Sequence, residues 1–193
     1  MNCTKIKQYI ADNVGNKRIA HLYATAQQTQ LLVERFIPTI TPQTGYLVGL
    51  WHDAAREWPL SNLLDFCLTH QIAMEEEERI YPLLLHGPVA AYLLPQMVTV
   101  PSFCQIAIRW HTLGSPAMGA LGAALYIADY IEPFRRYLTQ EERQSLLQCN
   151  SLEEMCLKIV KRNQRYLMQQ GLHMAATTTA LAEFLAEGGE FTP

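Results

Sequence analysis

The residues of this 193-residue chain best suited to metal chemistry are six histidines and four aspartates, and they are unevenly placed. His52 and Asp53 stand side by side at the end of an apolar segment, Tyr46-Leu-Val-Gly-Leu-Trp-His-Asp53. Imidazole nitrogens with a carboxylate suit a borderline transition metal such as iron, manganese or zinc. Successive residues on a helix point about 100° apart, so both side chains reach one ion only near a helix end or across a groove. Taken alone, the pair fits equally well a capped helix end with a hydrogen-bonded histidine.

Four more residues extend the pattern, each tied to a helix signal. Ile19, Leu22, Ala26, Thr29, Val33 and Phe36 recur at spacings of three and four, marking a long amphipathic helix with His21 on its flank. His86 precedes Gly87-Pro88, a helix start of the cap-then-proline type also present at Thr41-Pro42 and Ser115-Pro116. His111 ends Ile106-Ala-Ile-Arg-Trp-His111, just before a Thr-Leu-Gly turn. Asp129 lies in Ala123-Ala-Leu-Tyr-Ile-Ala-Asp-Tyr-Ile131, where a buried carboxylate requires a cation or strong donors. Thr139–Glu142 and Ser151–Glu154 have the form of capping boxes, and prolines are expected at helix starts rather than inside helices. With helical periodicity throughout and no alternating β-branched runs, the expectation is an all-α bundle of roughly nine to eleven helices.

The order His21, His52-Asp53, His86, His111, Asp129 resembles that of the HD-domain metal-dependent phosphohydrolases, most closely the YqeK-type HD hydrolases, bacterial symmetrical bis(5'-nucleosyl)-tetraphosphatases. The matching segments are Arg18-Ile-Ala-His21, His52-Asp-Ala-Ala-Arg56, His86-Gly-Pro-Val-Ala-Ala-Tyr92, Arg109-Trp-His-Thr112 and Tyr126-Ile-Ala-Asp-Tyr-Ile-Glu-Pro133. The resemblance implies one HD domain over residues 1–193, with its core at about 18–170, helical extensions at both ends and a central metal cleft. By that likeness His21, His52, Asp53 and Asp129 hold a first ion, and His86 and His111 a second, with Asp53 bridging both and counted as catalytic. The ions implied are iron, with manganese or zinc compatible with the same ligands.

The activity implied is hydrolysis of dinucleoside polyphosphates. Diadenosine tetraphosphate would be cut symmetrically to two ADP by a metal-activated hydroxide, so the small-molecule partner is an ADP- or GDP-like nucleotide. Arg56, Arg109 and Arg135 are candidate phosphate clamps, with Thr112 as a hydroxyl donor and Gly87 allowing close approach. Arg109 and Arg135 can equally pair with Glu57 or Glu132. Trp51, Trp110 and Tyr130 flank ligands, as core residues or as cover for a base. Two departures stand out: Ala123 and Ser115 occupy positions where the likeness leads one to expect a lysine and an arginine. Both bear on the substrate and leave the metal set intact. They motivate two alternatives, another nucleotide phosphohydrolase (mononucleotide or guanosine-tetraphosphate type) and a non-catalytic metal- and nucleotide-binding sensor.

Composition narrows the field. Hydrophobic residues make up 49% of the chain and charged residues 17%, enough for a substantial core. A net charge of -3 argues against coating nucleic acid. No apolar run approaches the roughly 18–20 residues of a membrane span, and the N-terminus has no signal core, so a cytoplasmic protein is expected. The five cysteines are scattered without a C-x-x-C pair, as for reduced, mostly buried thiols. Glu75–Glu78 suits a helix start, Lys158–Arg165 a solvated basic face, and His70 and His173 fall outside every motif.

Overall fold

The computed structural model describes residues 4–192. Among them eleven α-helices follow one another: α1 (Thr4–Asn13), α2 (Asn16–Phe36), α3 (Pro42–Trp51), α4 (Leu60–Thr69), α5 (Glu76–Ile80), α6 (His86–Met97), α7 (Ser102–Trp110), α8 (Gly119–Ile131), α9 (Gln140–Leu147), α10 (Leu152–Gln169) and α11 (Ala176–Ala186). Short 3-10 turns, Pro82–Leu85 and Pro116–Met118, lead into α6 and α8. No helix among the described residues is long and apolar enough to cross a membrane.

The bundle is arranged around α8. Its residues from Ala120 through Ala128 are all buried, as expected of a helix that is apolar on every side. It packs against α2, α3, α7 and α10, so its last turn emerges at the centre of the molecule carrying Asp129. A smaller apolar cluster of Leu63, Cys67, Leu85 and Val89 ties α4 to the start of α6. Cys67, Cys104, Cys149 and Cys156 are free and buried, whereas Cys3 lies outside the described residues.

Local signals set most helix boundaries. Thr41 stands at the N-cap position of α3 with Pro42 in the first turn, its hydroxyl bonding the Thr44 hydroxyl rather than a helix N–H, and Thr139 and Glu142 form a complete capping box. Three details differ from expectation. Ser151 accepts from the Glu154 N–H, but the Glu154 carboxylate reaches the N–H of Asn150 instead of Ser151, leaving half a box. The helix expected to open at Gly87-Pro88 begins at His86, because the preceding 3-10 turn already supplies the helical trajectory. Pro95 sits inside α6, where only the final turn lies beyond it.

The contact between α2 and α3 is made close by two glycines. A Cβ on Gly49 would lie 2.6 Å from Ala26 Cα and 2.8 Å from Thr29 Oγ1; one on Gly45 would lie 2.7 Å from Val33 Cγ2. This approach matters for chemistry because Gly49 is one turn before His52. Gly49→Ala should push the two helices apart, costing about 1–3 kcal/mol as overpacking typically does. The thermal midpoint, followed by circular dichroism, should fall by several degrees, and an unchanged midpoint would contradict the packing account.

Candidate metal centre

Six side chains converge where the ends of α3, α7 and α8, the start of α6 and the flank of α2 meet. At His52 the last turn of α3 gives way to successive tight turns, with Ala54 N–H donating to Trp51 O and Arg56 N–H to Asp53 O. The helix end thus lets neighbouring residues His52 and Asp53 face one cleft. His86 is the first residue of α6, and His111 caps the C-terminus of α7.

Each ring is aimed by a bond to its far nitrogen. His52 Nδ1 lies 2.7 Å from Gly49 O, His86 Nδ1 2.6 Å from Leu83 O, and His111 Nδ1 2.7 Å from Ile108 O. His21 Nδ1 sits 3.2 Å from Glu132 Oε1. A carbonyl or carboxylate partner only accepts, so each Nδ1 carries the proton and each Nε2 is turned inward, the usual outer-shell pattern around metal-ligating histidines.

The inward nitrogens meet in two pairs. His21 and His52 Nε2 are 3.3 Å apart, and His86 and His111 Nε2 are 3.1 Å apart. Asp53, only 4% exposed, stands between the pairs. Its Oδ1 is 2.9 Å from His86 Nε2 and 3.6 Å from His111 Nε2. Its Oδ2 is 3.5 Å from His21 Nε2 and 3.8 Å from His52 Nε2. Asp129 Oδ1 approaches the first pair, 3.2 Å from His21 and 3.6 Å from His52. Two triads, His21–His52–Asp53 and Asp53–His86–His111, each bring one donor atom per residue within 4.8 Å. Lone pairs this close repel unless a cation lies between them, so the donor set fits a divalent metal site.

The charges are distributed accordingly. Despite opposing burial, hydrogen bonds with Asp129, Asp53 and Glu132 raise the His21 pKa to about 10. Asp53 is held well below the ordinary carboxylate range, burial again opposing and the His52 and His86 charges prevailing. Asp129 is likewise lowered against burial by its hydrogen bonds with His21 and His52 and by the Arg135 charge. Burial outweighs the attraction of Asp53 at His86, whose pKa falls.

The cleft, about 280 Å³, is also lined by Arg18, Arg56, Arg135 and Thr112. Arg18 Nη1 donates to Asp53 Oδ2 at 2.8 Å, and Arg135 donates to the Asp129 carboxylate and, at 2.8 Å, to its backbone oxygen. Thr112 Oγ1 has no hydrogen-bond partner. Two expected substrate residues lie elsewhere. Arg109 binds Glu78, with Nη2 to Oε2 at 2.8 Å, and its guanidinium covers the Trp110 ring 4.3 Å from the centroid. Glu78 is fully buried in its capping box and cannot do without that cation. Gly87 abuts the His111 ring, 3.3 Å from where a Cβ would sit, so its smallness makes room for that ring. Trp51 is a core residue donating to Ala90 O. His70 stacks on Phe66 and Tyr92 at the surface, and His173 is exposed. Sequence reasoning missed Glu132 and Arg18. Both lie within segments that carry the resemblance, but only the folded chain shows Glu132 to be 1% exposed and under His21.

No family model matches the chain. It is 26% identical over 189 residues, 97% of its length and 100% of the relative's, to the symmetrical bis(5'-nucleosyl)-tetraphosphatase of Bacillus subtilis. Identity to the protein of the same name from Staphylococcus aureus is also 26%, over 89% of this chain and 88% of that one. A crystal structure from Clostridium acetobutylicum, described as an HD superfamily hydrolase involved in NAD metabolism, superposes with a TM-score of 0.86 at 24% identity, covering 97% of this chain and 98% of the other. The fold is therefore that of the HD superfamily hydrolases. The chain resembles enzymes named as symmetrical tetraphosphatases over nearly its whole length, as its motifs implied.

Two outcomes test the centre. Asp53→Ala, which removes the carboxylate common to both triads, should lose bound transition metal by elemental analysis, whereas His70→Ala should retain the parent's content. Metal binding must also expel the His21 proton. Because that pKa is raised, the proton stabilises the metal-free protein fully below pH 6.5 and its contribution is lost as pH rises towards 10. Apparent affinity for zinc or manganese should therefore climb by about tenfold per pH unit above neutrality. Chelator competition across that range checks this, and a flat profile would refute it.

Proposed function

We propose that this protein is a metal-dependent phosphohydrolase that cleaves dinucleoside polyphosphates, taking diadenosine tetraphosphate and water to two molecules of ADP. The observation that carries the reading is Asp53, one carboxylate facing two histidine pairs through its two separate oxygens. The names of the relatives supply the substrate class.

In this reading His21, His52, Asp53 and Asp129 hold one ion and Asp53, His86 and His111 a second. Iron is the ion we assign, and the ligands are also compatible with manganese or zinc. Metal held by these residues would supply Lewis acidity, making a water more acidic and offsetting the charge of phosphate oxygens. The chain supplies the rest. Arg56 and Arg135, with Arg18 beside them, form a guanidinium wall suited to bidentate grip on phosphates. Their crowding is visible at Arg56, whose pKa is lowered by burial and by the nearby Arg18 and Arg135 charges, although Asp53 pulls it up. A polyphosphate relieves that repulsion. Thr112 offers its unpartnered hydroxyl at the same wall. Holding two phosphates on either side of the bridge oxygen makes the central bond the one presented for hydrolysis.

The Arg18, Arg56 and Arg135 wall also answers the departures at Ala123 and Ser115. Ala123 is fully buried, and Ser115 is engaged in capping the turn into α8, its Oγ accepting from Ala117 N–H at 3.1 Å. Neither lines the cleft, where three other cations are present.

Metal-loaded protein incubated anaerobically with diadenosine tetraphosphate should yield ADP as the only nucleotide product by chromatography. Arg56→Ala should lower kcat/KM by about 10–100-fold, the value of a charge-assisted hydrogen bond. Cleavage of mononucleotides with no cleavage of any dinucleoside polyphosphate would overturn the substrate assignment.

A further inference from the structure

The metal cleft is too small for the whole of a dinucleoside substrate. Its volume of about 280 Å³ lies just below the roughly 300–1,000 Å³ range of small-molecule sites, and much of its wall is taken up by the Arg18, Arg56 and Arg135 guanidinium groups and by Asp53, His86, His111 and Asp129. It opens, through the shared residues Tyr130, Tyr137 and Asn163, into a larger cavity of about 770 Å³. The basic stretch of α10 forms the far wall of that cavity, with Arg162, Arg165 and Tyr166 turned towards it. This is the surface that the sequence alone presents as a solvated basic face.

The cavity is built rather than incidental. Arg162 pins three neighbours: Nη1 donates to Tyr130 OH at 2.9 Å, and Nη2 donates to Tyr137 O at 3.0 Å and pairs with Glu142 Oε1 at 2.9 Å. Tyr137 OH donates in turn to Tyr130 O, and the two rings lie 5.2 Å apart. Against this fixed wall, Tyr137 and Tyr166 remain 50% and 61% exposed, so ring surface is available in the cavity. Arg165 makes no ion pair among the described residues, its Nε donating only to Lys161 O.

On the premise of the hydrolase reading above, we propose that this cavity binds the second nucleoside of the dinucleoside polyphosphate, the half that departs as a nucleoside diphosphate. Exposed tyrosine faces provide stacking for a purine, Asn163 and Gln169 provide polar edges for base or ribose, and Arg165 provides charge near the phosphates. A smaller cavity of about 290 Å³ adjoins the cleft on the Leu84–Thr112 side, leaving room there for the first nucleoside. A substrate spanning both presents the middle of its phosphate bridge to Asp53, which gives a structural reason for a symmetrical cut.

The test is calorimetric binding to the metal-loaded protein of a diadenosine tetraphosphate analogue with a methylene group in place of the central bridging oxygen, set against ADP. Tyr166→Ala should reduce the preference for the analogue over ADP by roughly tenfold, as loss of one base-stacking contact does, and Tyr166→Phe should restore it. Tyr166 also edges the smaller cavity, so Arg165→Ala, which alters the larger one alone, must reduce the preference too. Equal losses for both ligands, no loss, or a loss confined to Tyr166→Ala would overturn the proposal. Turnover is read separately. Absence of ADP from diadenosine tetraphosphate with the binding preference intact would defeat the hydrolase reading and leave the cavity assigned; turnover with no change of preference in either variant would do the reverse.

Discussion

The centre depends on a cluster of like groups that cannot lie together without positive charge. Four Nε2 atoms and two carboxylates lie within a few ångströms of one another, nearly all of them shielded from water. Lone pairs facing across about 3 Å in a medium of low polarity are strongly unfavourable unless bridged. Without metal, the Asp129, Asp53 and Glu132 carboxylates favour a proton on His21, whose pKa is raised despite its burial. With metal the same geometry becomes a ligand set. The rest of the chain is arranged to hold this cluster in place against its tendency to separate.

Three backbone carbonyls do much of that holding. Gly49, Leu83 and Ile108 each lie three residues before the histidine they orient, so each ring folds back on the last turn of its own helical segment. Such a bond needs no partner from elsewhere in the fold. Once a segment ends at the right point, its histidine is already aimed, and the packing problem reduces to bringing segment ends together. The close contact of α2 and α3 and the burial of α8 accomplish that. His21 is the exception. It lies in the second turn of α2, where the neighbouring backbone carbonyls are committed to the helix, and therefore needs Glu132 from 111 residues away.

This difference also decides what was legible in the sequence. Residues acting through local geometry could be read: the proline at Pro42, the capping box at Thr139, the helix-end positions of His52 and His111, and the periodic face of α2. The six candidate ligands were legible as a set only through the likeness of their order to the HD-domain hydrolases, because a single histidine in an apolar segment fits an ordinary hydrogen-bonded core position as well, while the Asp129 carboxylate in an apolar helix already called for a partner. Residues acting through distant partners could not. Glu132 resembles an ordinary surface glutamate until the start of α2 lies over it. Arg109 resembles a phosphate clamp until Glu78, 31 residues earlier, is found buried against it. Gly87 is adjacent to a ligand in sequence, but its packing neighbour is the ring of His111.

The same distinction explains the position of the positive charge. A phosphate site requires cations near the metals, not at particular points of the chain, because the Coulomb field is set by distance in space. Arg18 precedes His21 by one turn of α2, Arg56 follows Asp53 by one turn of the loop, and Arg135 folds back on Asp129 from beyond the end of α8. Each cation is therefore attached to the same segment as a ligand and is carried into the cleft with it. A chain that orients its ligands from segment ends places the residues just before and after those ends around the cleft as well. Basic side chains at those flanks reach the cleft without a separate element to hold them, as Arg18, Arg56 and Arg135 do.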